Sequence, residues 1–354
     1  MDQDRLRRLE VIIPNLHARW SGVTATNRAV APRIAGLVEA AWIGGHRPQG
    51  VAPLAFPDLL RLRVLPPPDG RPRVWHARRN DEMIVGLLLK ALGWRLKLVF
   101  TSAAQRRHKA LTRWLIARMD AVIATSAASA AYLKVTTTVI HHGVDTGLYR
   151  PPANREAAWR ETGLPGRFGI GCFGRVRRQK GVDVFVEALI RLLPRHPDFT
   201  GVIVGQVTPE EQGFADALKA RIAGAGLSAR IRFLGELPSE DLPVWFGRMR
   251  IYAFASRNEG FGLTLLEAMA SGAALVATRA GAAEVVVEDG VTGVLVAPGE
   301  ADAFTAALEP LMANPSAAEA MGGRAREAVL ARHSIEAEAH AIVEVYRSVW
   351  TTAG

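Results

Sequence analysis

The chain has one cysteine in 354 residues. Disulfide scaffolds are excluded, and a reducing compartment fits. That residue, Cys172, stands in an apolar run, where a small buried hydrophobe is the ordinary reading and a nucleophile the unusual one. Long hydrophobic runs are missing. The longest, Met83–Trp94, is short and broken by Lys90, so no segment reads as a membrane-spanning helix. The first residues, MDQDRLRRLEVIIPNL, are charged and only briefly apolar, unlike a secretory signal, and the cytoplasm is the expected location. No His/Cys group has zinc spacing, and the only D-x-D, Asp2-Gln3-Asp4, sits at the terminus, away from any expected strand end. No metal or other cofactor is therefore expected. Nucleic-acid motifs are also missing, and nucleic acid is not an expected partner.

Hydrophobic residues make up 49% of the chain, ample for sizeable cores, and the length suggests about two domains. The net charge of +10 is unevenly spread. Residues 1–150 hold 23 Lys and Arg against 10 Asp and Glu, whereas the remainder holds 21 against 24. Five of the eight tryptophans, Trp20, Trp42, Trp75, Trp94 and Trp114, fall in the basic part. Arg with Trp suits an anionic membrane surface or a phosphorylated glycolipid. Core tryptophans with arginines scattered for solubility give the same composition.

Short apolar strands alternate with helical stretches. Leu9–Pro14, Val74–Ala77, Leu96–Thr101, Ala121–Ala124 and Thr137–His141 read as strands, with helices at Val23–Val38, Asp81–Leu92 and His108–Arg118. Gly44–Arg73 has no clear period and reads as an irregular insertion or a short ragged strand pair. After Tyr149, RPPANREAAW reads as a linker. A second series follows, with strands at Arg167–Arg175, Gly201–Gly205, Arg230–Gly235, Ile251–Ala255, Ala274–Ala277 and Gly293–Val296. Its helices are expected at Gly181–Leu193, about Glu211–Ala223, Ser239–Gly247 and Leu263–Ala270, and everything from Ala301 reads as helical. Alternation of this kind implies an α/β chain with parallel sheets, and ligands in such folds sit at the carboxyl ends of strands. The domains are expected at 1–150 and 151–334.

Arg257–Gly272, RNEGFGLTLLEAMASG, carries the most chemistry. Glu259 and Glu267 flank a Gly260-Phe261-Gly262 turn that opens a helix whose first N–H groups belong to Leu263 and Thr264. Carboxylates accept hydrogen bonds from sugar hydroxyls, and the positive helix end receives a diphosphate. An ordinary capped helix with solvated acids reads the same way. Gly174-Arg175-Val-Arg-Arg-Gln-Lys180-Gly181 follows the first strand of the second series, so Arg175 and Lys180 can converge on one anion. A solvated basic loop is the plainer alternative. Ser21-Gly22-Val23 follows the first strand of the chain, where Gly22 would let backbone approach a phosphate, or would simply turn the chain. Gly169-Ile-Gly171-Cys-Phe-Gly174 matches G-x-G-x-x-G, but its glycines fall inside a strand and no acid follows at the required distance, so it is not read as a dinucleotide fingerprint. Among the histidines, His76, His108, His141 and His142 lie where they could serve an acceptor or a donor sugar, though a lone histidine is more often structural.

Ser21-Gly22-Val23, Gly143-Val144-Asp145, Gly174-Arg175 with Lys180-Gly181, Glu259-Gly-Phe-Gly-Leu-Thr-Leu-Leu-Glu267 and Gly281-Ala-Ala-Glu284 resemble, in order and over nearly the whole chain, the retaining glycosyltransferases of family four. The resemblance implies the GT-B fold: two Rossmann-like parallel-sheet domains facing across a cleft, with a final helix, about 335–352, crossing back to the first domain. By resemblance, Arg175 and Lys180 hold the donor diphosphate, Glu259 meets the transferred sugar, and Glu267 takes the ribose. Backbone at Gly22, Leu263 and Thr264 completes the phosphate cradle. The base is expected near Gly235, Glu236 and Leu237. Many relatives carry a histidine after the strand that here ends Thr101-Ser102, so Thr101 or Ser102 stands in that place, with His108 or His76 as substitutes.

SGVTATNRAV, WHARRNDEMI, LVFTSAAQRRHK and RMDAVIATSAASA look like lipopolysaccharide-core mannosyltransferases of alphaproteobacteria. That resemblance implies a GDP-mannose donor, an anionic Kdo-bearing glycolipid acceptor, and a peripheral position on the cytoplasmic side of the inner membrane. A UDP-sugar hexosyltransferase, a sugar-nucleotide epimerase and a non-catalytic membrane adaptor are the other readings.

Overall fold

The computed structural model describes residues 1–18 and 21–351. Trp20, and residue 352 of the expected last helix, lie outside the described residues. The chain divides into two units, Met1–Gly143 with Ile335–Gly354, and Val144–Ser334.

In the first unit the described residues form seven parallel strands: β1 (Val11–Asn15), β2 (Ala40–Gly44), β3 (Ala52–Pro53), β4 (Arg73–Ala77), β5 (Leu96–Ser102), β6 (Ala121–Ala124) and β7 (Thr138–Val139). Their order is β3-β2-β1-β4-β5-β6-β7. The central strands β1 and β4 are buried throughout, as a sheet covered on both faces requires. One face packs on helices Phe56–Arg61, Asn80–Ala91 and Ala110–Ile116 through Leu59, Met83, Leu89 and Leu115. The other is covered by helices Gly22–Ala35 and Ile335–Thr351 through Val30, Ile34, Ile342 and Tyr346. The last helix is therefore part of the first unit.

In the second unit the strands are β8 (Phe168–Phe173), β9 (Phe199–Val204), β10 (Ile231–Gly235), β11 (Met249–Phe254), β12 (Ala274–Thr278) and β13 (Val294–Val296), in the order β10-β9-β8-β11-β12-β13. Helices Val182–Leu192, Gln212–Gly224 and Ala301–Ala313 cover one face. Leu242–Arg248, Leu263–Ala270 and Pro315–Arg332 cover the other.

Several expectations change. The division falls between Gly143 and Val144, not at residue 150. Val144 N–H bonds to His333 O (2.9 Å) and Arg326 donates to Tyr149 O (3.2 Å), which ties 144–150 into the second unit. The supposed insertion at 44–73 contains β3 and helix Phe56–Arg61, and β2 was not anticipated. Trp42, Trp75 and Trp94 are core residues, not surface anchors. Asp2 of the D-x-D caps helix Gln3–Arg8, accepting from Arg5 N–H at 2.7 Å.

Candidate active site

Glycines at the carboxyl ends of β8, β9 and β10 bring three backbones together. Gly205 N–H bonds to Gly235 O at 2.8 Å, and a Cβ on Gly205 would stand 2.0 Å from Gly174 O. The chain then runs through Arg175 to Gly181, whose φ of 67° and closeness to Ala255 O (1.8 Å from a built Cβ) admit no other residue. Gly169 and Gly171 inside β8 have a different reason. Cβ atoms there would strike Trp159 and Met249, so the G-x-G-x-x-G pattern is set by packing. Burial pushes the Cys172 thiol up to about 12, which leaves it unreactive.

The loop after β8 is laced to the loop after β11. Arg257 makes a two-pronged pair with Asp183 (2.7 and 2.9 Å) and also reaches Arg178 O. Arg257 N–H bonds to Gln179 O at 2.8 Å, and Gln179 Nε2 to Asn258 O at 3.1 Å. This scaffold seats Lys180 Nζ on the carboxylate of Glu259. Ser256 Oγ lies 3.4 Å from the same carboxylate oxygen, and the Lys180 stem lies over Gly174. Arg175 stands exposed on the same loop, with no acid paired to it among the described residues.

Gly262 has φ 94°, and a Cβ there would stand 2.9 Å from Phe254 Cζ, so glycine is obligatory where the chain turns into helix Leu263–Ala270. No side chain caps this helix. Leu265 N–H returns to Gly262 O at 2.9 Å, leaving the Leu263 and Thr264 N–H groups aimed outward from the positive helix end. Gly281 packs on the turn, and Ala282 N–H bonds to Phe261 O at 2.8 Å. Along the helix, Glu267 is partly buried, and burial pushes its carboxyl up to about 7. The Tyr149 hydroxyl donates to it, and burial beside this acid raises the phenol. Leu237 packs on the apolar core beneath helix Leu263–Ala270.

The remaining expected residues lie in the first unit. Gly22 opens helix Gly22–Ala35 at the carboxyl end of β1, and a Cβ on it would meet nothing within 4 Å. Arg79 braces the turn before it, donating to Asn15 Oδ1 (2.9 Å), Ser21 Oγ (2.7 Å) and Thr24 Oγ1 (2.7 Å). Its neighbour Arg78 is buried, with Nε and Nη2 lacking hydrogen-bond partners, in the field of Glu82, Glu338 and Tyr346. Glu82, fully buried, accepts from the Arg78 and Arg79 backbone N–H groups (2.6 and 3.1 Å), and its burial pushes the carboxyl up to about 7. His76 is a correction. It is buried with both ring nitrogens engaged, Nδ1 with Tyr346 Oη (2.6 Å) and Nε2 with Thr101 Oγ1 (2.7 Å), so it latches the last helix to the sheet and leaves no atom for a sugar. Burial holds it well below the usual imidazole range. Ser102 and His108 do meet, Oγ to Nε2 at 3.4 Å, where the exposed loop Gln105–Lys109 leaves β5.

Arg175, Lys180, Glu259, the 260–264 turn and Glu267 thus belong to one unit, with Gly235 at the end of β10 and Leu237 just beyond; Gly22, His76, Ser102 and His108 belong to the other. Sequence reasoning missed Tyr149, which it left just before the expected linker, and the Arg257–Asp183 clamp. Only the Arg257 guanidinium, two residues before Glu259, hinted at the latter.

The family model for group 1 glycosyl transferases matches residues 155–328. The chain is 51% identical over 346 residues to the lipopolysaccharide core biosynthesis mannosyltransferase LpcC of Rhizobium leguminosarum bv. viciae, covering 97% of each chain. It is 44% identical to the corresponding LpsB of Rhizobium meliloti (strain 1021), over 97% of this chain and 99% of that one. The crystal structure of Anabaena Alr3699/HepE in complex with UDP and glucose superposes with a TM-score of 0.80 at 22% identity, over 96% of this chain and all of that one. With two Rossmann-like parallel sheets in the GT-B manner and a family match that spans the clamp, the turn and the helix, the chain belongs to the group 1 glycosyltransferases.

Proposed function

We propose that the protein transfers mannose from GDP-mannose, with retention of configuration, to the Kdo region of the lipopolysaccharide inner core. The full-length likeness to two enzymes named as lipopolysaccharide core mannosyltransferases supports the substrate class. The observation that carries the chemistry is the ion pair of Lys180 with Glu259 beside a bare helix start at Leu263 and Thr264.

As the anomeric bond loosens, negative charge grows on the leaving diphosphate. Arg175, Lys180 and the amino end of helix Leu263–Ala270 are placed to stabilise it, which is where fixed charge lowers the barrier. Glu259 accepts from the sugar hydroxyls, and Glu267 accepts from the ribose. The acceptor hydroxyl attacks from the face the diphosphate leaves, and a phosphate oxygen takes its proton. No second carboxylate acts as nucleophile, unlike in retaining glycosidases. These cations take the place a divalent metal has in other transferases, so activity should survive EDTA. The acceptor is lipid-borne, and the enzyme works at the cytoplasmic surface of the inner membrane. No helix among the described residues is long and apolar enough to cross a membrane, so attachment would be peripheral.

Thermal shift against a panel of sugar nucleotides tests the donor, because a ligand held only by the folded chain raises its melting point. GDP-mannose is expected to give the largest shift and to label a Kdo-bearing lipid. A shift confined to UDP-sugars would remove the donor assignment. Donor turnover without any acceptor would point to an epimerase.

A further inference from the structure

The three helices on one face of the first sheet are apolar on both sides. Inward, Leu59, Met83, Leu89 and Leu115 bury against the strands. Outward, helix Phe56–Arg61 shows Phe56 (66% exposed) and Leu60 (48%) at i, i+4. The next helix and its cap show Ile84, Leu88 (57%) and Leu92 (61%) at i, i+4, i+8, one stripe on its outer side. Helix Ala110–Ile116 adds Leu111 (57%) and Trp114 (51%). An ordinary surface helix has polar residues there.

The stripes adjoin. Trp94 Nε1 donates to Leu59 O at 3.0 Å, joining the first helix to the end of the second, and Asn80 Nδ2 donates to Thr112 Oγ1 at 2.8 Å, joining the second to the third. The second unit has nothing similar, its exposed large hydrophobics being isolated residues such as Val244, Val285 and Leu330.

The same layer is cationic. Between Glu82 and Asp120 the chain has eight Lys and Arg and no Asp or Glu. Arg106, Arg107, Lys109, Arg113 and Arg118 are exposed. The Arg118 guanidinium lies 3.7 Å over the Trp114 ring, an amphipathic pair suited to a headgroup boundary.

We infer that the outer surface of this layer is the face that docks on a bilayer with anionic headgroups. Its leucines, Phe56 and Trp114 enter the acyl boundary and its arginines stay among the headgroups. This deepens the proposed function, since a lipid-borne acceptor gives the face its use, but binding to lipid requires neither donor nor acceptor. The surface differs from the tryptophan set expected from composition, most of which is core.

The test is flotation of the full chain, without donor, on phosphatidylglycerol vesicles and on phosphatidylcholine vesicles. The protein should float with the anionic vesicles at low salt, weakly with the neutral ones, and less as salt rises. The double variant Leu88→Ser/Leu92→Ser should lose at least about tenfold in binding. Arg113→Ala and Arg118→Ala should each lose about fivefold. All should keep the parent's melting point and donor-induced thermal shift, which separates failure of this face from failure of the donor assignment. Absence of anionic-vesicle binding by the parent, or equal binding by the Leu88/Leu92 variant, would overturn the inference. So would a lipid-free dimer, seen by sedimentation, that the same double variant abolishes, because the face would then serve a second copy of the chain.

Discussion

Lys180 and Glu259, 79 residues apart in the chain, are joined as an ion pair in loops that follow the adjacent strands β8 and β11. Each fixes the other's direction, and the Arg257–Asp183 clamp fixes both loops. Lys180→Ala and Glu259→Ala should each lower kcat by at least about a hundredfold, the scale of losing one fixed charge at a transition state. Steady-state kinetics with circular dichroism melts checks this. The double variant should lose far less than the product of the two, because the residues act as a unit. Additive losses, or near-parental turnover in either single variant, would refute the pairing as the catalytic element.

Glu267 gives a pH dependence. Its carboxyl, raised from 4.5 to about 7 by burial, favours the folded chain in its neutral form. That contribution is full below pH 4.5 and fades as pH rises to about 7. Ribose hydroxyls are best accepted by the ionised form, so donor affinity should climb as pH passes through about 7 with release of protons. Isothermal titration in buffers of different ionisation enthalpy reads both. Glu267→Gln should bind weakly and with a flat profile; a flat profile in the parent would rule out the assignment.

Gly22 and Gly181 differ in what holds them. Gly181→Ala meets Ala255 O at 1.8 Å from a left-handed backbone, and should cost about 3 kcal/mol or more in chemical denaturation. Gly22→Ala meets nothing in the protein, so stability should hold or rise slightly while donor KM rises. An unchanged KM would remove Gly22 from the phosphate site.

Glu338 joins the last helix to the segment where the chain leaves the first unit. It accepts from His142 Nδ1 (2.9 Å) and from Gly143 N–H (2.8 Å), and it is buried near Arg78. Glu338→Ala should destabilise by about 3–5 kcal/mol, since it strands buried partners. Differential scanning calorimetry should show the loss in one of two transitions, with the donor-stabilised transition unmoved.

Much of this was legible in the chain. Strands such as Ala121–Ala124 stand out as continuous apolar runs, and the Glu259–Glu267 turn announces itself through its Gly-Phe-Gly, whose Gly262 takes a left-handed backbone. β2 and β3 were not, because AAWIG reads equally as the end of a helix and a two-residue strand has no period. His76 looked available because its two hydroxyl partners come from 25 and 270 residues away. Tyr149 was hidden for the same reason, its carboxylate partner lying on a helix far along the sequence. Burial of Trp42, Trp75 and Trp94 could not be separated from exposure by composition, whereas the outward leucines required knowing which side of each helix the sheet takes.

The final helix has a consequence for biosynthesis. Its 17 residues, Ile335–Thr351, help to cover one face of the sheet built by residues 11–139. While a ribosome is still making the middle of the protein, Val11, Ile13 and Val99 lie on a face that has only helix Gly22–Ala35 to cover it. The first unit, although translated earliest, matures last, and a nascent chain stalled before Ile335 would present that half-covered apolar face to chaperones.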